Sequence, residues 1–305
     1  MGLNNTFFKR DSCVKRPVRY LRVFFLEIIS LSALDVVKLI SQLHLSPRES
    51  ANRTLRIAKD IYLVGGGDIR LSNRMDCHIY LVDGGQQKCL IDAGVGIDSE
   101  EIIRNIMQDG YSPRKDVDYI LVTHAHADHA GGIKTMRRAT GAEVVAPRGE
   151  AEIIESGGPG WDTAMRAAKE SGIYPKTYVY KHCKVDRVVG HRGKIKVGKY
   201  TLRAIQVPGH SRGIVGYLIE ERPRSFFSSD IVFIEGTVGF GNWPGCSLDN
   251  YRNYIGRLAG LDVVSLFPGH FMWTLKDGQT HIDTAIKNFK GAWLPPSWRP
   301  TGKAE

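Results

Sequence analysis

The residues with the strongest chemical character in this 305-residue chain fall in one stretch, Thr123-His124-Ala125-His126-Ala127-Asp128-His129-Ala130-Gly131-Gly132. Three imidazoles and a carboxylate, His124, His126, Asp128 and His129, lie within six positions. Imidazole with carboxylate is a donor set for zinc, and iron or manganese accept the same ligands. So short a segment cannot wrap all four donors around one small ion, so the spacing suggests two neighbouring ions sharing the cluster. A solvated polar loop is the bland alternative. Against it stands the context: the apolar run Tyr119-Ile120-Leu121-Val122 reads as a buried strand, and Ile133–Ala139 reads as a helix after the glycine turn.

The same order of apolar strand, sharp turn and donor recurs three times downstream. Tyr200–Val207 leads to Pro208-Gly209-His210, Ser225–Ser229 to Asp230, and Val263–Phe267 to Pro268-Gly269-His270. A strand end holds a side chain rigidly while solvent can still reach it. His44, His78, His182, His191 and His281 lie outside this order and read as ordinary residues. Asp92 directly follows the strand Lys88–Ile91 and could hydrogen-bond a ligand histidine from behind. A turn-forming aspartate is the alternative there.

His124-x-His126-x-Asp128-His129, followed by His210, Asp230 and His270, resembles the metallo-β-lactamase superfamily over roughly residues 57–290. The resemblance implies an α/β fold, a four-layer αββα sandwich with a binuclear site at one edge between the sheets. It implies that His124, His126 and His210 hold one metal ion and that Asp128, His129 and His270 hold the other. Asp230 would bridge them together with a hydroxide, making Asp128 and Asp230 the catalytic carboxylates. Two divalent ions, zinc before iron or manganese, would bring the pKa of the shared water toward ~7 and so permit cleavage of a carboxylic ester, lactone or thioester.

Asp230-Ile231-Val232-Phe233 with Gly236 and Gly239, a helix over Ser247–Leu258, and Phe267-Pro268-Gly269-His270 look most like the glyoxalase II-like and lactonase-like hydrolases. The Lys and Tyr with which the glyoxalase II-like branch holds glutathione have no match in Val238–Pro244. Phe233 stands where the lactonases carry Tyr. Other members of the superfamily supply two alternatives, a phosphodiesterase or nuclease and a non-hydrolytic iron-dependent sulfur dioxygenase-like protein.

Phe233, Phe240, Trp243, Phe271, Met272 and Trp273 stand beside ligands in sequence. Lining the mouth, they would select a small-molecule substrate with an apolar portion; packing into the core is the alternative for several of them. Residues 149–185 differ from their surroundings. Helical patterns at Ala151–Ile154 and Ala164–Ser171 flank Ser156-Gly157-Gly158-Pro159-Gly160, and Trp161, Tyr174, Tyr178, Tyr180, His182 and Cys183 add aromatic and soft groups. This segment reads as a lid or substrate wall, or as a satellite packing cluster.

The elements needed to position these groups are legible in outline. Strands at Ile61–Val64, His78–Val82 and Lys88–Ile91, joined by Gly-rich turns, predict an antiparallel or mixed sheet. A helix over 99–108 and a strand over Glu143–Ala146 continue it as a βα alternation. Apolar residues at 42% and charged residues at 24% describe an ordinary soluble globular protein. The net charge of +10 is concentrated in residues 1–56, where ten Lys or Arg face four Asp or Glu, a balance of +6 that leaves +4 for the rest. A large basic groove for nucleic acid is thereby disfavoured, though not a local patch. No phosphate-binding G-x-x-x-x-G-K-[ST] or dinucleotide motif is present.

Five scattered cysteines without a C-x-x-C pair read as free thiols of a reducing, cytoplasmic compartment. The expected organisation is a basic, partly helical extension over 1–56, a catalytic domain over 57–294 and a flexible tail over 295–305. Within the extension, Glu27, Asp35 and Lys38 break the apolar segment 20–45 too often for a membrane span or a good signal peptide. Met1-Gly2-Leu3-Asn4-Asn5-Thr6 fits the N-myristoylation pattern, which with the basic residues behind it would attach the chain to a membrane surface. An amphipathic helix packed on the catalytic body, or on the second subunit of a homodimer, is the preferred reading of this segment.

Overall fold

Strand-forming runs separated by glycine turns assemble into two mixed β-sheets packed face to face. The computed structural model describes residues 55–291 and 294–298. The first sheet runs in chain order through β1 (Leu55–Ala58), β2 (Ile61–Gly65), β3 (Ile79–Asp83), β4 (Lys88–Ile91), β5 (Tyr119–Leu121), β6 (Glu143–Pro147) and β7 (Arg187–Val189). Its first four strands pair antiparallel, and β4 to β7 pair parallel. Parallel pairs need crossovers, and these supply the helices. They are α1 (Ser99–Gln108), α2 (Pro113–Asp116), the single turn α3 (Ala127–Ala130), α4 (Ile133–Thr140), α5 (Ala151–Ser156) and α6 (Trp161–Glu170).

The second half of the chain forms β8 (Lys194–Val197), β9 (Tyr200–Gln206), β10 (Val215–Ile219) and β11 (Arg224–Ser229), all antiparallel neighbours. After the short β12 (Val238–Gly239) and the helix α7 (Leu248–Tyr254), β13 (Val263–Pro268) joins the outer side of β11 in parallel. The helix α8 (Gly278–Lys290) follows, and β14 (Ser297–Trp298) pairs with β12. β14 lies inside the span 295–305 read as a tail; residues 299–305 lie outside the described residues.

Side-chain alternation along the strands sorts the core into three apolar layers between four structural ones. In β3, Ile79 and Leu81 face a cluster with Ile102 and Ile106 of α1 and Ile133 and Met136 of α4. Tyr80 and Val82 point the other way, into an inter-sheet cluster with Val215 and Tyr217 of β10, Phe227 of β11 and Phe267 of β13. Phe226 and Leu266 face outward to Tyr251, Ile282, Ala285 and Phe289 on the far helices. The arrangement is the expected αββα sandwich. Each fully buried Leu, Ile or Phe in it contributes roughly 1.5–3 kcal/mol of transfer free energy.

Local pattern does not single out β1, β7, β8, β10 or α8. β7 and β8 are short edge-type strands, and Gly216 interrupts the branched run of β10 because a Cβ there would strike the Phe226 ring. The helix expected over Ser247–Leu258 is two pieces. Ser247 Oγ accepts from the Asn250 amide at 3.2 Å to start α7, and the chain tightens into a 3₁₀ turn at Ile255–Leu258. Residues 1–54 of the basic extension, with the myristoylation pattern and the amphipathic helix expected there, lie outside the described residues. Among the described residues no helix is long and apolar enough to cross a membrane, and Cys77, Cys89, Cys183 and Cys246 are free thiols.

Candidate metal centre

Beyond β5 the chain stays extended through His126, so His124 and His126, two residues apart, project to the same side. The turn of α3 then swings Asp128 and His129 back toward them. His210 arrives from the end of β9, Asp230 from the end of β11 and His270 from the end of β13. All seven side chains converge where carboxyl ends of strands from both sheets meet. His210 Nε2 lies 3.1 Å from His124 Nε2 and 2.9 Å from His126 Nδ1. On the other side His270 Nε2 lies 3.1 Å and His129 Nε2 3.5 Å from Asp128 Oδ2.

The Asp230 carboxylate stands between the two sets. Its Oδ1 is 3.4 Å from His129 Nε2, and its Oδ2 is 3.5 Å from His210 Nε2 and 3.8 Å from His270 Nε2. His124, His126 and His210 form one group able to hold an ion, and Asp128, His129 and His270 another. Nitrogens of a zinc tetrahedron stand about 3.3 Å apart for Zn–N bonds of about 2.0–2.1 Å, so the first group needs only a few tenths of an ångström of expansion.

Contacts behind the cluster fix which nitrogen faces it. His210 Nδ1 donates to the Gly239 carbonyl at 2.9 Å, leaving the Nε2 lone pair inward. His129 Nδ1 donates to Asp92 Oδ2 at 2.8 Å. Asp92 also accepts from the Thr123 amide at 2.7 Å and from Thr123 Oγ1 at 2.8 Å. With its proton given to Asp92, Thr123 Oγ1 can only accept from His124 Nδ1 at 3.1 Å, which turns His124 Nε2 inward too. Asp68 lies 3.5 Å from His270 Nδ1 and accepts the Phe271 amide at 2.8 Å. The backbone pays for this convergence: Asp92, Ser229 and Phe271, each a donor or its neighbour, adopt positive φ of 64°, 49° and 64°. Gly269 is required as glycine, since a Cβ would run into Asp230 Oδ1 and lie 2.8 Å from His129 Cε1.

The electrostatics divide the same way. Burial, then the surrounding imidazoles, depresses His124 far below the usual histidine range; burial with His210 takes His126 down to about 3, and burial lowers His210 despite Asp230. Burial would raise Asp128 and Asp230, yet His129 and His270 hold both well below the carboxylate range. Burial would depress His129 and His270, but Cys77 and then Asp230, Asp128 and Asp92 reverse it at His129, and Asp230 with Asp128 and Asp68 reverses it at His270, which rises to about 10. Three neutral imidazoles beside ionised carboxylates that demand positive charge form a donor set suited to divalent cations. His129 Nε2 and Asp230 Oδ1, both buried, make no hydrogen bond, which is the condition of atoms shaped for a ligand that is not protein. The residues present fit the group.

The centre opens into a cavity of about 270 Å³. Of the aromatic side chains read as substrate contacts, Trp243 lines it, stacked edge-on against His126 and His210 with its indole N–H donating to the His210 carbonyl at 2.8 Å. Phe233 is buried and packs on Phe271, Phe240 joins the outer core of the second sheet, and Trp273 packs on His78 and the inter-sheet core. Phe271 and Met272 are exposed and outside the cavity lining. Their dispersal has a simple cause: adjacency in sequence to a candidate ligand sends alternate side chains to opposite faces. The apolar wall comes instead from 149–185, through Ile153 of α5, Trp161, Ala164 and Met165 of α6, and Ile173 and Tyr174 beyond it.

Two positions of consequence were not among the candidates. Glu150 is buried; its Oε1 accepts from Ser211 Oγ and the Gly213 amide, both at 2.6 Å, and its Oε2 from the Ala125 amide at 3.0 Å. It thus ties the loop of His124 and His126 to the loop of His210. Tyr174 donates to Asp128 Oδ1 at 3.0 Å from the opposite wall. A glutamate heading a helix carries no local signal, and Tyr174 is marked in the sequence only as one aromatic of the segment 149–185. His78 is not ordinary: its ring is buried beside Tyr80 and Trp273, and burial lowers it to about 4. The ring hydrogen bonds of His182, His191 and His281 run to backbone groups, His182 also packs against Trp161 and Tyr180, and His44 lies outside the described residues.

Comparison with known proteins agrees with this geometry. Residues 73–270 match the model of the metallo-beta-lactamase superfamily. Over 139 residues the chain is 33% identical to a hydroxyacylglutathione hydrolase of Erythrobacter litoralis, covering 46% of this chain and 42% of that protein. Over 218 residues it is 25% identical to the acyl-coenzyme A thioesterase MBLAC2 of Homo sapiens, covering 64% and 72%. The chain spans 42% to 62% of the length of three of the curated relatives it matches. Among solved structures, the FEZ-1 metallo-beta-lactamase of Legionella gormanii gives a TM-score of 0.59 at 19% identity, over 78% of this chain and 94% of that one. A likeness at that identity speaks for the fold.

Proposed function

The chain belongs to the metallo-beta-lactamase superfamily, and from that premise we propose that it is a metal-dependent hydrolase of acyl esters, with thioesters the favoured class and lactones included. The observation that carries the proposal is the Asp230 carboxylate set between two donor groups at the floor of an open, largely apolar-walled cavity. In this reading His124, His126 and His210 would hold one divalent ion, Asp128, His129 and His270 a second, and Asp230 would serve both, zinc fitting the donors best and iron or manganese next. Bound there, such ions would bring the pKa of a shared water toward ~7 and polarise the acyl oxygen.

The protein's own side chains do the rest. Asp92, Thr123 and the Gly239 carbonyl orient the imidazoles, and Glu150 holds the two ligand loops in register. Tyr174 fixes Asp128 Oδ1, leaving Oδ2 toward the cluster. Ile153, Trp161 and Met165 exclude water along one wall and would receive an apolar acyl portion. The two relatives named as thioester hydrolases support thioesters over lactones. The free cysteines fit a reducing, cytoplasmic setting.

Elemental analysis of the purified protein, followed by a panel of acyl thioesters, p-nitrophenyl esters, lactones and bis-p-nitrophenyl phosphate, tests the reading. About two metals per chain and thioesterase activity lost on chelation are expected. Full activity without metal, a phosphodiester as the sole substrate, or oxygen consumption in place of hydrolysis would each overturn it.

A further inference from the structure

Beside the cavity, the chain segments that carry four arginines, Arg148, Arg192, Arg212 and Arg257, meet around Gln206, and none of the four has a carboxylate salt bridge among the described residues. Arg212, exposed and two positions beyond His210, lines the cavity itself. The next residue, Gly213, lies against the neighbouring loop: a Cβ on it would stand 2.6 Å from the Arg148 carbonyl. The Arg148 side chain runs toward Gly190, its Nε 3.8 Å from where a Cβ on that glycine would sit, and His191 and Arg192 follow. Gln206 ties the parts together. Its amide side chain donates to the Arg148 carbonyl at 3.0 Å and the Gly213 carbonyl at 3.4 Å, its backbone N–H donates to His191 Nδ1 at 3.3 Å, and its carbonyl accepts from Arg257 at 2.7 Å. Arg257 also lies 4.3 Å over the Tyr254 ring.

The charge of this group is uncompensated. Burial and then Arg257, Arg192 and Arg203 lower His191. Arg203 and Lys194 share Glu220. Glu150, the buried acid near Arg212, is already saturated by Ser211, Gly213 and Ala125. The body of the chain is otherwise nearly balanced, so four guanidinium groups without a carboxylate partner around Gln206, Arg212 among them lining the cavity, form a local feature, too small for a nucleic-acid groove. Guanidinium forks pair with phosphate oxygens through two hydrogen bonds, and a fixed fork such as Arg257 loses little freedom in doing so.

The geometry points to a phosphate-bearing carrier: the substrate class is an acyl thioester of a thiol that ends in a phosphorylated nucleotide. Its acyl chain lies along the wall of α5 and α6, and its phosphates lie across Arg212, Arg148, Arg192 and Arg257. This assignment rests on the thioester reading above and names the carrier that reading leaves open.

The test compares octanoyl-coenzyme A, S-octanoyl-glutathione and S-octanoyl-N-acetylcysteamine on the full-length, zinc-loaded protein and on its Arg148→Glu/Arg192→Glu variant. The ratio of kcat/KM for the coenzyme A ester to that for the N-acetylcysteamine ester should fall at least tenfold in the variant, through KM. Added salt should lower the same ratio in the wild type. A ratio that stays constant, because both rates fall together or neither does, overturns the assignment. So does an equal rise in KM for the glutathione ester, which would put carboxylates in place of phosphates. Should the wild type cleave no thioester, calorimetry with free coenzyme A separates the two readings. Binding that the double substitution abolishes keeps the phosphate site and removes the thioesterase, and absence of binding removes the site.

Discussion

At the strand tips, the side chains that converge are nearly all buried, and most of the imidazoles are hydrogen-bonded from behind: His210 by Gly239, His129 by Asp92, His124 by Thr123. Across the cavity, α6 presents Trp161, Ala164 and Met165 half-buried, and no residue of the helix is fully buried. The floor is held by directional polar contacts in a dry environment, where an error of a few tenths of an ångström is costly. The wall is held by apolar contact, which tolerates changes of shape. Under the proposed function, reaction chemistry would belong to the floor and substrate choice to the wall.

The largest expected effect strikes the floor at its centre. Asp230→Ala should lower metal content and kcat together, by more than the ~10–100-fold usual for residues behind the ligands; elemental analysis beside steady-state kinetics checks this, and a fully metallated, active variant would remove Asp230 from the centre. Gly269→Ala adds one methyl between Asp230 and His129 and should cost ~10–100-fold in activity with far less effect on the melting temperature. If activity were unchanged, the floor would be more compliant than its contacts imply.

Glu150→Gln tests the tie between ligand loops. An amide N–H facing the Ala125 N–H removes one hydrogen bond, at about 1–3 kcal/mol of stability and roughly tenfold in metal affinity. Denaturant melts and a competitive chelator titration measure the two. On the wall, Met165→Ala should raise KM for an octanoyl ester about fivefold while leaving kcat within about twofold, since it removes about 1 kcal/mol of apolar contact. A drop in kcat without a change in KM would move α6 from substrate choice into the chemistry.

The smallest effect lies where floor and wall meet. Burial pushes Asp76 up to about 7 although Ser72 and the Val95 amide donate to it. Between pH 4 and 7 the folded chain therefore keeps a proton that the unfolded chain has released, and stability falls as pH rises across that window. In chelator-treated protein Asp76→Asn should flatten this fall, as urea midpoints at pH 4.5 and 7.5 would show.

Much of the floor is legible in the sequence. His124 to His129 stand out because one strand end supplies four donors at fixed short spacing, and His210, Asp230 and His270 repeat the order of apolar run, turn and donor. The wall is legible only as an anomaly in composition. Neighbours in sequence point to opposite faces of a strand or around a turn, so of the aromatics beside the ligands Trp243 reaches the cavity, while Phe233, Phe240, Phe271 and Trp273 go to other surroundings. The tie made by Glu150 and the bond to Asp128 from Tyr174, marked only as one aromatic of the segment 149–185, could not be found this way, since their partners lie 25 to 63 residues away.

By itself the sequence determined the donors, because ligand type and local spacing are properties of short segments, and by resemblance it pointed to the layered fold. The tertiary structure decided that the two donor groups face one another across Asp230, that α5 and α6 form the opposite wall, and that the segments carrying Arg148, Arg192, Arg212 and Arg257 meet around Gln206. Each of these depends on pairing strands and loops distant in the chain. Such pairing is fixed by the packing of whole layers, and no local window of residues carries it.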